Sequence, residues 1–281
     1  MSMKTIAVIG AGQMGQGIAQ VFATSGFRVI LNDIDHQAIV KGVQTLQRSL
    51  HKLHDKGLLD ESPNAITDRI VASTDFSALT RASLVVEAAT ENEQLKRKIF
   101  SQLDKICADE TILATNTSSL SVTRLAAVTS RPEKVIGLHF MNPVPLMQLV
   151  EVIKGLQTSD DTYQTMLDIT QTLNKTAVTS KDRPGFIVNR ILMPMINEAV
   201  FALYENVASA IEIDEAMTLG AAHPMGPLAL ADLIGLDTCL SIMQVLHDGF
   251  SDSKYRPCPL LVQMVDAGFL GRKTGRGFFD Y

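Results

Sequence analysis

Apolar residues along this chain follow two different periods, and the changes of period mark out its elements. The run "KTIAVIG" is short and continuously apolar, as in a strand buried on both faces, and predicts a strand over 4–9. Residues 13–25 continue at helical spacing, and Phe27 to Asp33, "FRVILND", return to a strand, so the chain opens with a βαβ unit. From about 36 to 56, Ile39, Val43, Leu46, Leu50 and Leu53 recur at steps of four and three between polar residues, and Gly57 follows. That spacing predicts a long amphipathic helix with a polar outer face. Strands are predicted again at Ile70 to Ala72, Leu84 to Ala88 and Ile112 to Thr115, separated by helical or turn-like segments such as "NEQLKRKIFSQLDKIC".

The pattern changes at Val135. Val135 to His139 and Gln148 to Ile153 read as strands joined by a proline-containing link too short for a parallel crossover, which predicts an antiparallel pair. Beyond "SKDRPGF" at 180–186 the strand signals end. Helices are predicted at about 187–205, 212–221, 226–247 and 259–267.

Composition narrows the function classes. A chain of 281 residues, 46% hydrophobic and 20% charged, has the soluble globular balance and enough apolar surface for two cores. A net charge of −5 provides no chain-wide basic surface for nucleic acid, so an anionic ligand must be met by local cations. The first strand leaves no room for a signal peptide and no apolar run is long enough to span a bilayer, so a cytoplasmic protein is expected, with neither nucleic acid nor membrane as partner. Cys107, Cys239 and Cys258 are widely spaced and form no CxxC pair, which suggests neither disulfides nor a metal site.

The stretch Gly10-Ala11-Gly12-Gln13-Met14-Gly15 is a GxGxxG pattern. Alone it is a weak signal, but here it closes a strand, opens a helix and is followed about 20 residues on by Asp33 at the end of the next strand, the layout of a dinucleotide site. The glycines let the backbone turn against a pyrophosphate, and the helix starting near Gln13 offers backbone N–H groups and a positive dipole end. Asp33 suits the adenosine ribose hydroxyls and would repel a 2′-phosphate, so NAD is the expected cofactor. The expected fold is therefore α/β: a Rossmann-like N-terminal domain, residues 1–183, with a mostly parallel sheet plus an antiparallel hairpin, and an all-α C-terminal domain, residues 184–281.

The hairpin sets a second candidate site. Pro145 lies midway between His139 and Glu151, so a turn centred on it brings the two side chains opposite each other. A carboxylate fixes the imidazole tautomer and stabilises the imidazolium, leaving the second ring nitrogen for proton transfer, as a general base requires. Spacing alone fits equally a buried histidine satisfied by a glutamate. Asn142, between the strand and Pro143, is placed at a strand's carboxyl end, where open α/β sheets bind ligands.

Longer words bear on that choice. "NTSSLSVTRLA" at 116–126, "GLHFMNPVPLMQLVEVIKG" at 137–155, "DRPGFIVNRIL" at 182–192, "HPMGPLALADLIGLD" at 223–237 and "GRKTGRGFF" at 271–279 resemble the 3-hydroxyacyl-CoA dehydrogenases, above all the short bacterial 3-hydroxybutyryl-CoA dehydrogenases, over essentially the whole chain. The resemblance implies His139 as catalytic base, Glu151 as the residue orienting it, and Ser118 and Asn189 as polar groups around the reacting oxygen and carbonyl. It places coenzyme A along the long second helix, at Ser49 and Lys56, with Lys52 one turn before Lys56. It puts Lys96 near the nicotinamide and substrate, with Ser118 serving both ligands, and Glu91, Asn142 and Lys273 along the cofactor. Each has a plainer alternative: Ser118 a helix cap, Asn189 a buried hydrogen bonder, the lysines a solvated face, and "GRKTGRG" a mobile tail.

The implied activity is reversible NAD-dependent oxidation of an (S)-3-hydroxyacyl-CoA, 3-hydroxybutyryl-CoA being the expected substrate, in a cleft that closes over both ligands. Two alternatives stay open: a dehydrogenase of a free hydroxy acid or a sugar acid such as gulonate, and a non-catalytic, crystallin-like NAD-binding protein. The apolar helix "IVNRILMPMINEAVFALY" suggests a core or a subunit interface, and the resemblance implies a homodimer through the C-terminal domain.

Overall fold

The computed structural model describes residues 5–281, so Lys4, at the head of the predicted first strand, lies outside the described residues. The chain divides into a unit ending at Arg183 and a unit Pro184–Tyr281.

The first unit is built on β1 (Thr5–Ile9), β2 (Arg28–Asn32), β3 (Ile70–Ser73), β4 (Leu84–Glu87), β5 (Ile112–Thr115), β6 (Val135–Phe140), β7 (Leu149–Lys154) and β8 (Thr176–Lys181). They form one sheet in the order β3-β2-β1-β4-β5-β6-β7-β8. Every neighbouring pair is parallel except β6 and β7. The reversal of strand order beside β1 gathers loops at the carboxyl ends of β1 and β4, the place where such sheets take ligands. The helices of this unit are α1 (Gln13–Thr24), α2 (His36–Asp55), α3 (Pro63–Thr67), α4 (Glu93–Ile106), α5 (Val122–Ala126) and α6 (Asp160–Thr172). Its core joins the apolar strand residues Ile6, Val8, Val29, Leu31, Val86 and Leu138 to Ile18 and Phe22 of α1 and to Ile39, Leu46 and Leu50 of α2. The latter three belong to the stripe that predicts the long helix. Asp35 caps α2 by accepting from Gln37 N at 2.8 Å, which sets its start.

Neither α6 nor β8 is among the elements that the apolar pattern predicts. β8, "TAVTSK", is a largely exposed edge strand with little apolar content, and pairing with β7 decides its structure.

The second unit is helical: α7 (Val188–Tyr204), α8 (Ala210–Gly220), α9 (Pro227–Ile234), α10 (Leu236–Phe250) and α11 (Pro259–Asp266). Met193, Ile196, Val200, Leu228, Leu236 and Leu246 lie in its core. A reciprocal capping box between Ser209 and Glu212 starts α8. The single helix predicted over 226–247 is two. Gly235 sits at φ +102° and the axes of α9 and α10 turn by 98° there. The apolar period runs through the break because both pieces bury their apolar faces in one core. No single helix among the described residues is long and apolar enough to cross a membrane.

Candidate active site

The glycine loop lies between β1 and α1, and each glycine has its own reason. Gly10 is at φ +98°, and a side chain there would strike the Ala88 carbonyl at 2.6 Å. A β-carbon on Gly15 would fall 1.7 Å from the Gly10 carbonyl oxygen. At Gly12 it would meet no protein atom within 4 Å, and no side chain caps α1. The loop is thus packed from within and open at the helix N-terminus, which fits a diphosphate approaching the backbone. Asp33 is oriented by two backbone donors, Ala11 N at 2.8 Å and Asp35 N at 3.0 Å. Its carboxylate stands beside the loop, where a dinucleotide's adenosine ribose would follow the pyrophosphate.

His139 and Glu151 are direct partners in the β6–β7 register, and His139 Nδ1 is 2.6 Å from Glu151 Oε2. Glu151 has no exposure and His139 is 7% exposed. A buried carboxylate is expensive without a partner, and this geometry provides one while fixing the ring. The corner that returns the chain is itself held. Val144 packs against Gly17 of α1, and Gln13 Nε2 donates to Asn142 Oδ1 at 3.0 Å, tying the corner to the glycine loop. Lys175 Nζ donates to the Val144 and Met147 carbonyls at 2.8 and 2.7 Å, and burial lowers the pKa of this ammonium.

Ser118 is on the turn after β5. It is not a helix cap: Ser121 caps α5, accepting from Arg124 N. Its backbone N–H and its hydroxyl both donate to Glu91 Oε1, at 2.9 and 3.1 Å. Burial raises the Glu91 carboxyl, but Lys96 and the donors of Thr117 and Ser118 outweigh it and leave the pKa below its ordinary value. Lys96, expected near the nicotinamide and substrate, lies near the start of α4 beside Glu91. It is 1% exposed, with its ammonium on Glu87 Oε1 and Oε2 at 2.8 and 3.0 Å, the Ala89 carbonyl at 3.1 Å and Glu91 Oε2 at 3.4 Å. It occupies the buried stripe of α4 with Ile99, Phe100 and Leu103, a helical spacing visible in the sequence.

Ser49, Lys52 and Lys56 line one groove of about 440 Å³, together with Arg48, Leu53 and the Pro143, Pro145 and Leu146 side of the hairpin corner. One wall carries cations and the other is apolar. Arg48, a further cation of that wall, was legible only as part of the polar face of α2.

Asn189 and Lys273 belong to the second unit. Asn189 is buried in the first turn of α7. Lys273 Nζ pairs with Asp237 at 2.5 and 2.6 Å. The segment around it is ordered: Asp232 accepts from Phe278 N and Phe279 N, each at 3.0 Å, and from the Tyr281 hydroxyl at 3.1 Å. The three cysteines are buried and unpaired to one another, and burial pushes the Cys239 thiol up to about 12. No cluster of three or more potential metal ligands occurs among the described residues.

Comparison with known proteins agrees in both units. Residues 5–183 match the family described as 3-hydroxyacyl-CoA dehydrogenase, NAD binding domain, and residues 185–281 match its C-terminal domain. The 3-hydroxybutyryl-CoA dehydrogenase of Bradyrhizobium diazoefficiens is 55% identical over 280 residues, covering 99% of this chain and 96% of that protein. Human mitochondrial hydroxyacyl-coenzyme A dehydrogenase is 42% identical over 287 residues, covering 99% of this chain and 91% of its own. The crystal structure of (S)-3-hydroxybutyryl-CoA dehydrogenase from Ralstonia eutropha superposes with a TM-score of 0.96 at 53% identity, covering 100% of this chain and 99% of that one.

Proposed function

The chain belongs to the 3-hydroxyacyl-CoA dehydrogenase family, whose N-terminal domain binds NAD, and on that premise we propose that it interconverts (S)-3-hydroxybutyryl-CoA and acetoacetyl-CoA with His139 as the general base. The observation that carries the mechanism is the in-register His139–Glu151 pair, tied by the hairpin corner to the glycine loop. Gly10 to Gly15 and Asp33 would hold the pyrophosphate and adenosine ribose, and Glu91, Ser118, Asn142 and Lys273 are assigned to the rest of the cofactor by the family resemblance. When bound, NAD accepts the hydride that leaves the carbinol carbon. His139 Nε2 takes the hydroxyl proton as the carbonyl forms, and Glu151 stabilises the resulting imidazolium. In the reverse direction the same nitrogen returns the proton. Ser118 and Asn189 are assigned to the reacting oxygen and the thioester carbonyl by that resemblance.

Ser49, Lys52 and Lys56 give the coenzyme A phosphates local cations on a chain whose net charge is −5. This groove favours a thioester over a free hydroxy or sugar acid, neither of which needs it. A homodimer through the helical unit follows from the resemblance and is supported by exposed apolar side chains on α7 and α8, among them Ile191, Ile211 and Leu219. The reading also keeps the protein cytoplasmic, with neither nucleic acid nor membrane as partner.

The test is consumption of NADH with acetoacetyl-CoA, alongside NAD reduction with gulonate and inhibition by free coenzyme A. Acetoacetyl-CoA turnover with coenzyme A inhibition is expected. Turnover of gulonate alone, unaffected by coenzyme A, would replace the reading, and no turnover of either would favour a binding protein.

A further inference from the structure

We propose that Lys175 is a positioning residue for the acyl carrier: through the hairpin corner it sets the apolar wall of the groove assigned to coenzyme A, and so decides how firmly the carrier, as distinct from the acyl group, is held. The proposal deepens the dehydrogenase reading and rests on it.

The corner has little with which to hold itself. Residues 141–148 join β6 to β7, and Pro143 and Pro145 bring no N–H to the link. Leu146 N and Met147 N both donate to a single carbonyl, that of Pro143, each at 3.0 Å. The first half of the corner is tied down by the Gln13–Asn142 hydrogen bond and by Val144 on Gly17. In the second half, the Leu146 and Met147 side chains are exposed.

This second half stands between two openings. Pro143, Pro145 and Leu146 line the groove of about 440 Å³ that carries Ser49, Lys52 and Lys56 on its other wall. Pro145 and Leu146 also line a cavity of about 500 Å³, shared with Gln20 of α1, Leu59 and Lys175. The corner is therefore a partition with space on both faces. A wall without atoms packed behind it lacks the contacts that fix a side chain in a core.

Lys175 supplies what packing does not. Its Nζ donates to the carbonyls of Val144 and Met147 at 2.8 and 2.7 Å, which bracket Pro145 and Leu146 in the chain. The lysine itself stands on a fixed base. Its backbone N–H donates to the Thr170 carbonyl at the end of α6, and Thr176 N donates to the Gln148 carbonyl at 2.8 Å, where β8 joins β7. Among the described residues no carboxylate pairs with this ammonium; Glu61, on the same cavity, is held by Arg69. A partly buried cation with carbonyls as its partners adds little to stability, because desolvation offsets much of what the hydrogen bonds contribute. What the two bonds do provide is one position for the partition.

That position matters to one part of the substrate. The groove offers cations to the carrier's phosphates and the partition to its apolar length. The acyl group has to lie at His139, in β6, before the corner begins. A displaced partition should therefore weaken the hold on the carrier more than the hold on the acyl group.

Lys175→Met removes the donors and keeps the aliphatic stem. The measurement is kcat/KM for reduction by NADH of acetoacetyl-CoA and of acetoacetyl-N-acetylcysteamine, which lacks the phosphates and most of the carrier. The ratio of the two should fall on the order of tenfold, as for a misplaced binding wall, chiefly through the KM for acetoacetyl-CoA. Lys175→Cys should show the same loss. Alkylating the introduced thiol with 2-bromoethylamine, in which sulfur displaces bromide, rebuilds an ammonium of lysine's reach and should restore the ratio. The native cysteines are buried with raised thiol pKa values, so the reagent goes to the thiol on the open cavity. An unchanged ratio in either folded variant overturns the proposal, as does equal loss with both thioesters, which marks a structural role, or complete alkylation without recovery. If neither variant folds, Lys175 is a stability residue and the proposal falls. Wild-type protein that reduces neither thioester overturns the dehydrogenase reading itself, whereas an unmoved ratio beside a wild type that prefers acetoacetyl-CoA overturns the role of Lys175 alone.

Discussion

Glu151→Gln isolates the contribution of the carboxylate to the histidine, because it removes the charge and leaves the shape. Glu151 is fully buried and its Oε2 lies 2.6 Å from His139 Nδ1, so water neither screens the interaction nor replaces it when it is lost. A hydrogen bond to a charged group in such a place contributes about 1.5 to 3 kcal/mol. The imidazolium exists only once the proton has moved, so most of this loss falls on the transition state. With about 1.4 kcal/mol per tenfold, kcat should fall by about 10- to 150-fold. An amide can also rotate and donate to Nδ1, which would leave the ring in the tautomer that cannot accept the hydroxyl proton and carry the effect towards the upper end. The assay is steady-state oxidation of NADH by acetoacetyl-CoA at neutral pH, with NADH affinity followed separately by fluorescence. Affinity should be unchanged, since the pair is not part of the glycine loop. If Glu151→Gln keeps its fold and NADH affinity and turns over like wild type, the histidine does not depend on this carboxylate and the base assignment loses its structural support.

Other outcomes follow from the same geometry. Gly12→Ala should melt like wild type but bind NADH weakly, because its new methyl meets only the space left for a ligand; Gly15→Ala, with its methyl 1.7 Å from a carbonyl oxygen, should lose stability by several kcal/mol. Thermal melts beside NADH titrations separate the two. Lys56→Ala should raise the KM for acetoacetyl-CoA several-fold while leaving that for acetoacetyl-N-acetylcysteamine unchanged, since only the former carries phosphates. Asp104 is drawn in by burial, which raises its pKa, but Ser130 and Arg131 more than reverse this and lower it below the ordinary 3.8. The carboxylate therefore contributes stability that is present above the unfolded value and lost as pH falls through the folded one. Denaturant titrations should find Asp104→Asn weaker by about 1 to 3 kcal/mol at pH 7, with the gap closing below pH 4.

Where the sequence was legible, the information was local. The glycine pattern, the following strand and Asp33 are neighbours in the chain, and Gly15 is required by the Gly10 carbonyl of the same loop, whereas the clash at Gly10 is with Ala88 and became visible only in the fold. The His139–Glu151 register could be read because a hairpin is the one tertiary contact whose pairing follows from counting residues about its turn. The helix break at Gly235 was hidden for the opposite reason: an apolar period reports burial, and two helices meeting at a sharp angle in one core keep the period across the bend. β8 was hidden because an edge strand needs little apolar content when its neighbour supplies the hydrogen bonds.

By itself, then, the order of residues determined the βαβ opening, the glycine loop, the His139–Glu151 hairpin and the switch to helices, through periodicity, turn chemistry and short-range spacing. Only the tertiary structure decided which polar groups share a partner. Lys96 could be placed on a buried stripe from its spacing, but its pairing with Glu87 and Glu91, the convergence of the 117–119 turn on one carboxylate oxygen, and the hold of Lys175 on the hairpin corner join residues from separate elements. Buried polar groups must find partners wherever the packed chain brings them, and that condition is met in space, between strands and helices whose separation along the sequence carries no record of it.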